Sequence, residues 1–315
     1  MKPKISRTWS DSPKPQLAYK TAHGAAYQSS IEDFLNSKFA VELKGKVQLI
    51  FTSPPFPLAS PKSYGNHNGS TYIEWMVQIV KDLKPLLKPN GSIVIEIGNA
   101  WDKGSPTMST VPLETLIRIG REAELNICQQ FICNNPNRLP SPIVYVNKER
   151  IRVKDSFTHV WWYGKKERPY ANNRSVLREY SPAMKRLLKT QTYNHGKRPS
   201  EHLIGETSFL KNNGGAIPSS VLEFGGSSVS KNYRDWCLSN GYQQHPAKMA
   251  EALASFFVKF LTKESDLVLD PFGGSNTTGS VAENLGRNWV SVERDHQYLL
   301  GSIGRFMSDE SQTNL

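Results

Sequence analysis

The sequence predicts an α/β fold, a mostly parallel sheet with helices on both faces. Two observations predict it. Short β-branched segments alternate with segments of helical spacing in the first half of the chain, and the alternation returns near the C-terminus. That order implies parallel strands joined by crossover helices. In addition, two of the strands end in Pro- or Gly-rich loops, and α/β proteins build their sites at the carboxyl edge of the sheet.

The elements follow in order. Residues 1–18 are polar, with prolines, lysines and serines, and read as a loosely attached arm. Lys46–Phe51 (KVQLIF) reads as a short buried strand. Ile73–Leu87 has helical spacing, with Ile73, Met76, Val77, Val80, Leu83 and Leu87 on one face. Pro89-Asn90-Gly91 reads as a turn, and Ser92–Ile97 (SIVIEI) as the next strand. Val111–Ala123 is a predicted helix and Asn126–Cys133 a predicted strand. From 165 to 235 the pattern weakens and Gly, Asn, Ser and Pro accumulate. This stretch holds 13 Lys and Arg against six Asp and Glu, which supplies +7 of the chain's +11. We read it as an inserted lobe between two halves of one domain, 1–164 and 236–315. Beyond it, Pro246–Leu261 is a predicted helix with Met249, Leu253, Phe256, Phe257 and Phe260 inward. Asp266–Leu269 is a strand, Asn276–Leu285 a helix and Asn288–Val292 a strand.

Composition narrows the function. The chain's 315 residues suffice for one large domain with an insert. A charge of +11 favours an anionic partner such as nucleic acid. Cys128, Cys133 and Cys237 sit at no metal-ligand spacing, so neither a disulfide scaffold nor a metal site is expected. The N-terminus lacks a signal-peptide pattern, and no apolar run spans a bilayer. A soluble, cytoplasmic protein is expected.

Leu267-Val268-Leu269-Asp270-Pro271-Phe272-Gly273-Gly274-Ser275-Asn276-Thr277-Thr278-Gly279 reads as a strand, a tight loop and a helix start. Glycines let backbone approach a ligand, and Asn276, Thr277 or Thr278 can cap the helix. Glu293 ends the next strand, 23 residues after Asp270, near the spacing at which an acidic residue takes ribose hydroxyls. A phosphate loop is excluded because Ser280 stands where its lysine is required, and the dinucleotide fingerprint is absent. S-adenosyl-L-methionine (SAM) fits better, having a ribose and an adenine but no phosphates.

Ser53-Pro54-Pro55-Phe56 follows the 46–51 strand. Its prolines remove N–H donors and leave a rigid row of acceptors, the Ser53 hydroxyl and backbone carbonyls. The exocyclic amine of a base is a poor nucleophile, because its lone pair is delocalised into the ring. Hydrogen bonds to the Ser53 hydroxyl and the Pro54 carbonyl would draw it toward tetrahedral geometry and free that pair for a methyl sulfonium. Phe56 offers a face on which an extruded base can stack. Glu96, at the end of a neighbouring strand, is a candidate proton relay. No cysteine follows a proline, which disfavours methylation at cytosine C5.

Thr52-Ser53-Pro54-Pro55-Phe56, together with Asp270-Pro271-Phe272-Gly273-Gly274-Ser275, resembles the amino-methyltransferases of bacterial restriction–modification systems. The order is the β arrangement: catalytic motif, inserted target-recognition region, cofactor motif. The likeness runs from about Ala18 to Arg305 and takes in Asn135-Pro136, Leu139-Pro140-Ser141-Pro142, Ile151-Arg152-Val153-Lys154-Asp155 and Trp161-Trp162. It implies a Rossmann-like, SAM-dependent methyltransferase fold with a seven-stranded sheet and one reversed strand. It also implies that Thr52, Asp270, Phe272, Gly273, Gly274, Ser275, Asn276 and Thr277 surround the cofactor, that Glu293 takes its ribose, and that His245-Pro246 closes over it. Where the family often has Gly-Asp, this chain has Ser29-Ser30, so no contact is carried over there.

Serine at the head of the catalytic motif implies cytosine N4 as the target, in a specific duplex sequence protected against a cognate restriction endonuclease. The sequence leaves open an adenine-N6 enzyme, an RNA amine methyltransferase and a DNA-binding relative without catalysis, and either a monomer or a homodimer. Arg138, Lys148, Arg150, Arg152 and Lys154 are candidates for phosphate contacts. In the lobe, Arg174, Arg178, Lys185, Arg186, Lys189, Lys197 and Arg198 are candidates for backbone or guanine contacts. The tryptophan pair reads as core.

Overall fold

A computed structural model describes residues 4–5, 14–57, 69–224 and 230–307. The chain divides into two compact units. One is formed by the described residues up to Ala171 and from Ser220 onward, the other by Asn172–Ser219.

The larger unit is built on one sheet. Its strands are β1 (Lys4–Ile5), β2 (Gln16–Lys20), β3 (Gly24–Gln28), β4 (Val47–Thr52), β5 (Leu87–Gly98), β6 (Asn126–Asn134), β7 (Phe157–Gly164), β10 (Val221–Glu223), β11 (Leu267–Asp270) and β12 (Asn288–Glu293). They lie in the order β1-β2-β3-β12-β11-β4-β5-β7-β6-β10. The expected count of seven is therefore corrected to ten among the described residues. Two strands run against the rest rather than one: β7, antiparallel to both β5 and β6, and β2, antiparallel to β3.

The central strands are covered on both faces, and all six residues of β4 are buried. Alternation sends neighbours to opposite sides. Ile50 joins the cluster under α3 (Gly69–Leu83) and α4 (Val111–Glu122), whereas the Phe51 ring lies 5.3 Å from Phe257 of α7 (Glu251–Leu261). Trp161 and Trp162 divide in the same way, and both are core. Trp161 belongs to the α3–α4 cluster, and Trp162 meets Phe260 at 5.2 Å and donates to the Ser92 hydroxyl. Short helices α1 (Ile31–Leu35) and α2 (Lys38–Leu43) follow β3. α6 (Lys231–Asn240), α8 (Thr277–Asn284) and α9 (His296–Ser302) complete the unit.

Several expectations are corrected. Gln16–Ala18, read as part of a loose arm, belong to β2, and Lys4–Ile5 pair with it; Ala18 and Tyr19 are fully buried. The other arm residues before Lys14 lie outside the described residues. The predicted helix 73–87 ends at Leu83, followed by a 3-10 turn at Lys84–Leu86. The Pro89-Asn90-Gly91 turn is an irregularity inside β5, where Val47 pairs with Leu87 and Leu49 with Ser92. α7 begins at Glu251 rather than Pro246. The 165–235 lobe shrinks to 172–219, because β10 completes the sheet edge and α6 belongs to the larger unit.

The smaller unit contains α5 (Pro182–Thr190), capped by the Ser181 hydroxyl, and a hairpin of β8 (Gly196–Lys197) and β9 (Leu203–Ile204). It holds eight Lys and Arg against three Asp and Glu, a formal +5 in 48 residues.

Candidate active site

The ends of β3, β4, β11 and β12 meet at one cavity of about 390 Å³ in the larger unit, a volume suited to a small cofactor. Ser53, Pro54, Pro55 and Phe56 form one end. Asp270, Phe272, Gly273, Gly274, Ser275, Thr277, Glu293 and His245 form the other. The two motifs, 218 residues apart at Thr52 and Asp270, are joined directly: the Thr52 hydroxyl donates to Asp270 Oδ1 at 2.8 Å.

At the Ser53 end, register does the positioning. Thr52 lies opposite Ile95 of β5, so Ser53 emerges beside Glu96. The Ser53 and Thr158 hydroxyls both donate to the Glu96 carboxylate, Thr158 at 2.8 Å. Burial pushes Glu96 above the usual carboxylate range, and these two donors, with the charge of Arg138, pull partly against it. The Phe56 ring rests on Gly98 at the end of β5, where a Cβ would fall 2.6 Å from the ring. Gly98 escaped sequence reasoning because its role is to be absent volume.

At the glycine end, the Gly273 backbone runs so close to β12 that a Cβ would sit 2.0 Å from Ser291 Oγ. Gly274 has φ +52°, a left-handed conformation that favours glycine, and its Cα faces the His245 ring. The His245 ring is held edge-on to Tyr298 at 4.6 Å, and its backbone N–H donates to the Tyr233 hydroxyl. Gly274 N–H donates to Glu293 Oε2 at 2.6 Å, and Asp295 N–H to Oε1 at 2.8 Å. Burial, reinforced by the charges of Asp295 and Asp270, pushes Glu293 up to about 7. Burial likewise pushes Asp270 up to about 6, against donors from Thr52, Thr278 and the Phe272 N–H.

Three expected cofactor residues do not line the cavity. Thr52 is turned to Asp270, and Pro246 is exposed. Asn276 is fully buried as the N-cap of α8, accepting from Gly279 N–H and donating to the Tyr19 hydroxyl. Ser29 and Ser30 do line it; Ser30 caps α1, and Ser29 Oγ is buried without a hydrogen-bond partner among the described residues. That hydroxyl and the two buried carboxylates, Asp270 and Glu293, suit a polar group carrying hydroxyls and positive charge, as SAM does.

Besides Gly98, two residues were missed. Trp75 of α3 lines the cavity, 5.6 Å from the Phe272 ring, with its indole N–H on Glu32. It lies off the apolar stripe of its helix, which was the available signal. Arg305 supports the loop from behind, donating to the Ser275 carbonyl at 2.6 Å, to the Ser275 hydroxyl and to Glu251. An arginine far along the chain carries no such signal.

Of the basic residues expected at DNA, Arg138 alone of its segment lines the cavity. Lys148 and Arg150 are exposed; Arg152 donates to the Pro106 carbonyl and Lys154 to that of Pro136. Arg174, Arg178, Lys185, Arg186, Lys189 and Lys197 are exposed on the smaller unit; Arg198 is half-buried and donates to the Asn194 carbonyl.

Residues 47–303 match the family model described as DNA methylase. Type II methyltransferase M.PvuII of Proteus hauseri is 40% identical over 294 residues, 93% of this chain and 86% of that protein. The structure of PvuII DNA methyltransferase (cytosine-N4-specific) superposes with a TM-score of 0.73 at 34% identity, over 92% of this chain and 88% of that one. The M1.HpyAVI–SAM complex shares the fold, with a TM-score of 0.53 at 18% identity, over 90% and 100% of the two chains. With the motif order, the joined sheet edges and a family match spanning most of its length, this chain belongs to the DNA methylase family.

Proposed function

We propose that the protein methylates the exocyclic N4 amine of a cytosine, flipped out of a specific duplex DNA sequence, with SAM as methyl donor. The observation that carries this reading is Ser53, which lines the same cavity as the glycine loop and Glu293 and is hydrogen-bonded behind the cavity wall to Glu96. The kinship with a cytosine-N4-specific relative supports the choice of base.

Ser53 donates its proton to Glu96, so its lone pairs are left to accept from the amine. The Pro54 carbonyl supplies a second acceptor, and Phe56, seated on Gly98, supplies a stacking face. When bound, SAM supplies an electrophilic methyl on a sulfonium. Glu293 would take its ribose hydroxyls, Asp270 would face its cationic methionine end, and Trp75 with Phe272, their rings tilted by 59°, would offer apolar contact to the adenine. As the amine nitrogen attacks, its proton passes to the Ser53 oxygen while the Ser53 proton passes to Glu96. A carboxylate raised by burial is suited to accept a proton near neutral pH. A cognate restriction endonuclease would cleave the same sequence when it is unmethylated.

Nucleoside analysis by mass spectrometry of DNA treated with enzyme and SAM tests the proposal. N4-methylcytosine is expected, and N6-methyladenine as the sole product would overturn it.

A further inference from the structure

Cytosine presents three groups along one edge: the N4 amine, then N3 and O2, both acceptors. Ser53 and Pro54 account for the amine, so a site selective for cytosine needs a donor beside them. Among the described residues, the basic side chains lining the cavity are Arg138, His245 and Arg294. His245 covers Gly274, and Arg294 follows Glu293, so both belong to the glycine-loop end. Arg138 belongs to the other end, where its charge acts on Glu96, the partner of Ser53.

Arg138 is also held in place. One guanidinium nitrogen donates to the Phe157 carbonyl at 3.2 Å and lies 3.5 Å from Asp155. Asp155 is 8% exposed and accepts from the Asn99 amide at 2.7 Å; Asn99 in turn meets His159 Nε2 at 2.9 Å. This chain of bonds runs from the inner strand β7 to the cavity wall. It occupies one end of the guanidinium. Among the described residues, the other terminal nitrogen and Nε have no protein partner.

We propose that Arg138 reads the flipped base, donating to O2 and N3 of cytosine, and so determines the choice of cytosine over adenine. In adenine a C–H stands where cytosine has O2, and the guanidinium would face it unpaired. This inference rests on the cytosine-N4 reading.

The test compares wild type, Arg138→Met and Arg138→Lys on two duplexes that differ only at the target position, cytosine or adenine, both opposite guanine. For Arg138→Met, kcat/KM on cytosine should fall about 10- to 100-fold, the worth of a hydrogen bond from a charged group. The preference for cytosine over adenine should fall by a similar factor, with SAM affinity by calorimetry unchanged. Arg138→Lys keeps a charge opposite Asp155 and, if the Met variant does not fold, carries the test; its preference should fall about tenfold. An unchanged preference in a folded variant overturns the proposal. If the slope of log Kobs against log salt also drops by about 0.9, the share of one neutralised phosphate, Arg138 touches the backbone instead. Absence of N4-methylcytosine from the wild-type reaction would fail the underlying reading rather than this one.

Discussion

At the residue scale, the proposed reaction divides the work between Ser53, backed by Glu96, at one end of the cavity and Asp270 with Glu293 at the other. Ser53→Ala should lower kcat about 10²- to 10³-fold, in the range of removing one polar group that acts in the transition state, with SAM affinity retained. Glu96 acts ionised, so kcat should fall as pH drops through its raised range. Glu96→Gln should abolish that acid limb and lower kcat about 10²- to 10⁴-fold, read from a pH–rate profile. Glu293 sets a second pH dependence. At about 7 in the free protein, it is protonated below neutrality, whereas the proposed acceptance of ribose hydroxyls is strongest from the ionised carboxylate. SAM affinity should therefore weaken about tenfold per pH unit below 7, more steeply below 6 where Asp270 also protonates. Calorimetric titration from pH 5.5 to 8 checks this, and Glu293→Gln should flatten the dependence above pH 6.

At the element scale, the strand that leads into the cofactor loop and the helix that follows it were legible in the sequence. Leu267–Asp270 and Thr277–Asn284 both carry strong local signals, a β-branched apolar run and a capped start. So were β4 and the interior of β5, whose buried faces demand unbroken apolar runs. β2 and β3 were not legible, since Gln16–Lys20 and Gly24–Gln28 are short and mixed in polarity; the strand state of β3 comes from pairing with β12, and that of β2 from pairing with β3. The catalytic segment was readable because Pro-Pro after a strand restricts the backbone, whereas Trp75, Gly98 and Arg305 reach the site only through tertiary packing. Arg305 gives this scale its prediction. Its side chain is 2% exposed and ties the 3-10 turn Ile303–Phe306 to Ser275 and Glu251. Its guanidinium also lies 4.8 Å from the Tyr233 ring. Arg305→Met should leave the Ser275 carbonyl without its donor. We expect stability to fall by about 2–4 kcal/mol, measured by denaturant unfolding, together with weaker SAM binding as the loop loses its support.

At the scale of the whole molecule, charge is distributed unevenly. The 48 residues of the smaller unit carry +5 of the formal +11, and most of their basic side chains are exposed. If this unit meets DNA as proposed, it should contribute affinity through counterion release, which is steep in salt and indifferent to sequence, while any base contacts add a free energy that salt hardly touches. The two contributions separate experimentally. Log Kobs for a duplex should fall linearly with log salt. Replacing Lys197 and Arg198 by Gln should reduce the slope by about 0.9 for each phosphate that the variant no longer neutralises. If either residue reads guanine instead, its single variant should relax preference at one base pair, at a cost of about 1–3 kcal/mol, and leave the slope nearly intact. The Ser53–Glu96 pair belongs to the other unit. At saturating DNA, kcat should therefore remain that of the wild type, and a fall in kcat there would show that the smaller unit also aligns the target base with the cavity.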